Sequence, residues 1–150
     1  MSEQPGEPVT VEATAGLLIE VNERLRRAFV AAAAGADLGP AEAKVLKHVC
    51  SGDPQPMRTV ARTLGYDASN LTGVVDRLED RGLLERRTDA QDRRVKTVVL
   101  TPAGTRAVEH FVTQLHAGIP LAALAPAELA ELHRLLRLVL GSETTSEGRT

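Results

Sequence analysis

Two short clusters and a scatter of arginines hold the side chains best suited to work outside the fold. Ser69, Asn70 and Thr72 are small hydrogen-bonding residues close together, and Arg93 and Arg94 follow Asp92 in a polar stretch. Arg58, Arg62, Arg77 and Arg87 are spread around both clusters. Hydroxyl and amide groups donate and accept toward base edges and phosphate oxygens, and guanidinium forks grip phosphate bidentately. This is recognition chemistry. Bond-breaking chemistry has no visible carrier: there is no glycine-rich phosphate loop, nucleophile motif or His-Glu zinc pair, so the chain reads as a non-enzyme. His48, His110, His116 and His133 have no ligand spacing with Cys50 or with an acidic cluster, so neither metal nor cofactor is expected. Cys50 has only Lys47 and His48 as basic neighbours; it reads as a buried thiol, with a redox role the lesser alternative.

The clusters depend on the elements that carry them. From Thr14 to Ala34, Leu18, Val21, Leu25 and Ala28 or Phe29 recur at helical steps, with Thr14 as cap and Gly35 as stop. Gly39-Pro40 opens a second helix over 40–50, and Ser51-Gly52-Asp53-Pro54 breaks the chain. A short helix fits Met57 to Leu64, and Gly65-Tyr66-Asp67 is a turn. A helix to about Arg81 follows, capped by Asp67 or Ser69, with Leu71, Val74, Val75 and Leu78 on its buried face. Gly82 stops it. Leu83–Arg87 and the β-prone Val95–Leu100 then form a hairpin with a charged tip at 89–92. Thr101-Pro102 starts a helix to about His116, and a last leucine-rich helix opens at Ala125-Pro126. The first and last ten residues read as disordered tails around a single domain over 11–140.

Helix, glycine turn and helix make a helix-turn-helix, a pattern that many all-α proteins share. Three features raise it toward DNA. The second helix begins with Ser69, Asn70 and Thr72, and a recognition helix presents that end to base edges; the bland alternative is that Ser69 and Asn70 only cap it. Basic residues flank the unit, Arg58 and Arg62 before and Arg77, Arg81, Arg86 and Arg87 after, although Asp76, Glu79, Asp80 and Glu85 are interleaved and Arg81 could be a plain solvated charge. The hairpin tip carries Arg93 and Arg94, which on a narrow ribbon can enter a minor groove, while Asp92 can fix an arginine rotamer. A solvated tip is the alternative there.

Charge and length agree with this picture without demanding it. The whole chain has a net charge of −2, yet the stretch 58–100 has more basic than acidic residues. The longest apolar run, Phe29 to Ala34, is far short of the roughly 20 residues of a membrane span. An acidic N-terminus without basic residues argues against a secretory signal, and one cysteine rules out an intrachain disulfide, so a cytoplasmic location is expected.

The stretch from Leu64 to Gly104 resembles the multiple-antibiotic-resistance regulator (MarR) family. The matching pieces are Val75 to Leu84 at the end of the recognition helix, Arg87 to Arg94 in the wing, and Leu100-Thr-Pro-Ala-Gly104. Leu38-Gly-Pro-Ala41 departs mildly from the family pattern. The resemblance implies a mainly α fold with a small β-hairpin: a winged helix-turn-helix, with the DNA-binding part at about 40–100. Dimerisation helices are implied at about 11–35 and 102–140. It implies a homodimer on a pseudo-palindromic operator, usually as a repressor, and in many members a small-molecule effector. In the family, residues matching Ser69, Asn70 and Thr72 face the major groove, and of the wing arginines matching Arg93 and Arg94 the second commonly enters the minor groove. The family aspartate matching Asp92 commonly orients a neighbouring arginine, which makes Arg77 a candidate partner here. Apolar stripes on the first and last helices support a dimer independently, with recognition helices roughly 34 Å apart on DNA. An activator, or a protein-interaction module on the same fold, is the competing reading.

Overall fold

The computed structural model describes residues 9–50, 54–89, 92 and 94–141. They divide into two units that meet between Gly118 and Ile119 in sequence. The first holds α1 (Val11–Gly35), α2 (Pro40–Val49), β1 (Gln55–Pro56), α3 (Met57–Leu64), α4 (Ala68–Asp80), β2 (Leu84–Thr88), β3 (Lys96–Leu100) and α5 (Pro102–Gly118). The second holds a 3-10 turn at Pro120–Ala123 and α6 (Pro126–Gly141). The fold is a mainly helical winged helix-turn-helix with a small antiparallel sheet, as the sequence predicts.

α2 is the hub of the first unit. Its Ala43, Val45, Leu46 and Val49 are buried, and it packs against α1, α3, α4, α5 and β3. Leu71, Val74, Val75 and Leu78 of α4 and Val60 of α3 complete this side of the core, while Val108, Phe111 and Leu115 of α5 close the other. Phe29 of α1 meets Phe111 edge-on, the centroids 5.0 Å apart at 73°, a favoured quadrupolar geometry.

α1 begins a turn earlier than its apolar period suggests. Thr10, not Thr14, is the cap: its backbone is extended and its Oγ1 accepts from the Ala13 N–H at 3.1 Å. Thr14 donates its hydroxyl to the Thr10 carbonyl at 2.8 Å, a bond available only inside the helix. Only Ala32 and Ala33 of α1 are buried, and Leu17, Leu18, Ile19, Val21 and Leu25 are exposed.

The sheet has the order β1-β3-β2, with both pairings antiparallel. Arg86 lies opposite Val98 and Gln55 lies opposite the same Val98 on the other edge. β1 escapes sequence reading because it is two residues long and half proline. Pro56 has no amide to donate, which suits an edge strand, and β3 dictates the pairing.

Between α4 and α5 the chain turns by a Schellman closure. Gly82, at φ 66°, donates its N–H to the Glu79 carbonyl, and Leu83 donates to that of Leu78. Thr101 then locks the turn to α5. Its hydroxyl donates to the Gly82 carbonyl at 2.7 Å and accepts from the Gly104 N–H at 3.0 Å. A Cβ on Gly104 would fall 1.9 Å from the Leu83 carbonyl oxygen. This explains the glycine of the Leu100–Gly104 motif: the wing's exit requires contact that only a hydrogen atom allows.

In the second unit, α6 opens with the Ala125 N–H donating to Glu128 at 2.7 Å and carries an Arg134–Glu131 pair one turn apart. No residue of α6 is buried, and Leu129, Leu135, Leu136, Leu138, Val139 and Leu140 are exposed. Among the described residues no helix is long and apolar enough to cross a membrane. Replacing Gly104 by Ala is expected to cost about 1–3 kcal/mol by overpacking, read as a lower denaturation midpoint with an unchanged slope.

Candidate nucleic-acid interface

Local chemistry fixes the helix-turn-helix. Gly65 takes the left-handed conformation at φ 69°, and the Tyr66 N–H returns to the Ala61 carbonyl at 2.9 Å. Asp67 then caps α4, accepting from the Asn70 N–H at 2.8 Å and from its side-chain amide. Asp67 rather than Ser69 therefore caps the helix. Leu71, Val74, Val75 and Leu78 turn inward, which leaves Ser69, Asn70, Thr72 and Arg77 on the exposed side. The Ser69 hydroxyl makes no hydrogen bond within the described residues. Thr72 donates to the Ala68 carbonyl at 2.7 Å, which leaves its oxygen able to accept from a ligand.

The arginines fall into three groups. Arg81 and Arg86 are locked. Arg81 reaches Glu42 and Asp37 at 3.0 Å each, and Arg86 is held by Asp76 at 2.6 Å and by Glu79. Partial burial disfavours the charged form of Arg86, but the hydrogen bonds and charges of Asp76 and Glu79 outweigh it, and its pKa moves up. Arg81 is thus no solvated charge, because two separate carboxylates converge on it. Arg77 and Arg87 are lightly tied: Arg77 to Glu42 at 3.5 Å, Arg87 to its neighbour Glu85, both with exposed guanidinium ends. Such surface pairs contribute only about 0–1 kcal/mol. Arg58, Arg62 and Arg94 form the third group and have no carboxylate partner among the described residues.

The wing departs from expectation at Asp92. Its Oδ1 accepts the Arg94 N–H at 2.9 Å, its carbonyl accepts from Val95 at 2.9 Å, and its own N–H donates to Asp89 at 3.0 Å. Asp92 therefore shapes the turn through the backbone, and Arg77, its expected partner, is paired with Glu42 instead. A short aspartate closing a tight turn satisfies nearby amides before it can reach across to α4. Arg93 lies outside the described residues.

β1 has a consequence for the site. By pairing with β3 it brings the start of α3 against the base of the wing, where Pro56, Met57, Arg58, Arg94, Val95 and Lys96 line a cleft of about 260 Å³. Among the described residues no carboxylate lines it. Sequence reading placed Arg58 and Arg94 in separate elements and passed over Lys96, which donates to Thr88 at 2.8 Å. It also missed Glu42, although the spacing Gly39 to Glu42 is that of a capping box, and the Gly39 N–H does donate to Glu42 at 2.8 Å. Cys50 is exposed, not buried: Val49 takes the last inward position of α2, and the cap residue turns out.

The described geometry can be set against known proteins. A MarR family sequence profile matches residues 36–95. A probable transcriptional regulator from Pseudomonas aeruginosa is 30% identical over 83% of this chain and 95% of its own, with a TM-score of 0.65. The chain belongs to the MarR family of transcription regulators. Wild-type MarR of E. coli in its apo form matches at 27% identity and TM-score 0.71, covering 90% of this chain and 99% of that one. CouR of Rhodococcus jostii RHA1, solved with p-coumaroyl-CoA bound, matches at 28% and 0.68, covering 82% and 88%. Asp67 heads the second helix of the helix-turn-helix. Asp67→Ala is expected to cost about 1 kcal/mol of stability, measured by chemical denaturation. Asn70 loses both of its bonds with it.

Proposed function

We propose that the chain is a cytoplasmic homodimer that binds a pseudo-palindromic operator and represses nearby genes until a small molecule releases it. α4 enters the major groove, where Ser69, Asn70 and Thr72 meet base edges, and the wing carries Arg93 and Arg94 to the adjoining minor groove. Arg58 and Arg62 take backbone phosphates, and the cleft beside Arg58, Arg94 and Lys96 suits one of them. Arg77 and Arg87 can leave their weak pairs for phosphate at little cost.

The observation that carries this reading is the division among the arginines. The winged unit neutralises Arg81 and Arg86 with two carboxylates each, yet among the described residues Arg58 and Arg62, in the first and last turns of α3, and Arg94 on the wing have no carboxylate partner. A protein-interaction module would not require that difference. The dimer is supported by the exposed leucines, isoleucine and valines of α1 and α6, more apolar surface than a monomer ordinarily leaves in water. Ligand relief is supported by the likeness to CouR, which was solved with p-coumaroyl-CoA bound.

The direct test is a gel shift against the DNA upstream of the protein's own coding region, with salt varied. Arg94→Ala is expected to weaken binding and to lower the salt slope by about one; unaltered affinity and slope contradict the wing's role. Sedimentation is expected to give twice the 16.0 kDa chain mass for the wild type, and Leu18→Glu is expected to shift the mass toward one chain by placing a charge in the apolar stripe.

A further inference from the structure

One carboxylate outside the proposed DNA face ties three elements together. Glu42, in the first turn of α2, has a side chain only 10% exposed. Its Oε2 accepts from the Gly39 N–H at 2.8 Å and from Arg81 Nη1 at 3.0 Å, and its Oε1 faces Arg77 Nε at 3.5 Å. The other end of Arg81 donates to the Asp37 carbonyl at 2.6 Å and reaches the Asp37 carboxylate at 3.0 Å. Asp37 sits at φ 55°, the non-glycine residue among those described with a left-handed backbone. That conformation is uncommon for a side-chain-bearing residue, and it persists where neighbours over-determine it.

An ion pair with one buried partner is a weak device for stability alone, because desolvation of Glu42 and solvent screening of Arg81 offset much of the attraction. It is a strong device for geometry. Arg81 forms the end of α4, two residues beyond Glu79, and its rigid fork fits only one arrangement of Glu42 and Asp37. The fork therefore fixes the end of α4 against the turn between α1 and α2.

We propose that Glu42 is a positioning residue for DNA recognition: through Arg81 and Asp37 it sets the pose of α4 against the α1–α2 turn. The proposal rests on the reading that α4 enters a DNA groove. A shift of the α1–α2 turn has to break this knot or carry α4 with it, so the pose of α4 follows the end of α1.

Glu42→Gln is the informative variant, since it keeps one oxygen to accept from the Gly39 N–H and Arg81, removes the charge that holds Arg81, and replaces only the oxygen at the weak Arg77 contact by an amide NH2. The probes are a duplex selected from a random-sequence pool by the wild-type full chain, and a scrambled duplex of equal length. Glu42→Gln is expected to lose about tenfold in affinity for the selected duplex, with scrambled-duplex affinity and salt slope unchanged, as a loss of fold would not produce. Combined with Arg81→Gln, the loss is expected to be no larger than that of the greater single variant. Asp37→Asn, at a fully exposed side chain, is expected to lose about threefold in the same direction. Unchanged affinity, equal loss on both duplexes, or additive single losses overturn the proposal. Hydrogen exchange on the DNA-free protein separates it from the DNA reading. Amides at 37–39 and in the last turn of α4 are expected to exchange faster in Glu42→Gln, with those of 108–115 unaltered. If no duplex is selected, the DNA reading falls and the proposal with it; if exchange is unaltered, Glu42 does not hold α4, whatever the DNA result.

Discussion

An arginine grips a phosphate only when the protein's own carboxylates leave it available. The stretch 58–100 interleaves the two signs closely, so the fold decides which arginines stay available. The chain separates them by distance. Asp76 and Glu79, on one side of α4, turn back toward β2 and meet Arg86, while Glu42 reaches Arg77 and Arg81 from α2. The tip acids act on backbone: Asp92 takes the Arg94 amide, not its guanidinium. Among the described residues of this stretch, the guanidiniums left without a carboxylate are in the first and last turns of α3 and on the wing.

That separation depends on tight local geometry. Gly65 and Gly82 both take positive φ, one to join α3 to α4 and the other to leave α4 for the sheet. Thr101 and Gly104 clamp the second exit so closely that no side chain fits between α5 and Leu83. β1, though only two residues long, brings Met57 and Arg58 to the wing's base. The positions of the cations therefore follow from backbone closures remote from them in sequence.

The helices were legible because their apolar residues recur at helical steps and their ends carry glycine, proline and aspartate. The hairpin was legible from its β-branched second strand, within one residue at each strand's start. Much of what escaped depends on partners distant in sequence. β1 has no period of its own and exists because β3 accepts it. Glu42 and Arg81 are 39 residues apart, so their pairing leaves no local signature. Thr10 and Thr14 are equally good caps by composition, and only the extended backbone at Thr10 distinguishes them. Residue types suited to DNA were visible along the chain; which of them the fold would neutralise was not.

Arginine side-chain NMR during titration with a random-sequence duplex tests that division most directly. It follows each Nε–Hε pair on its own and needs no operator. The signals of Arg58, Arg62 and Arg94 are expected to shift as DNA is added, while those of Arg81 and Arg86 stay in place. Movement of the two locked arginines with the other three still would contradict the account at its centre.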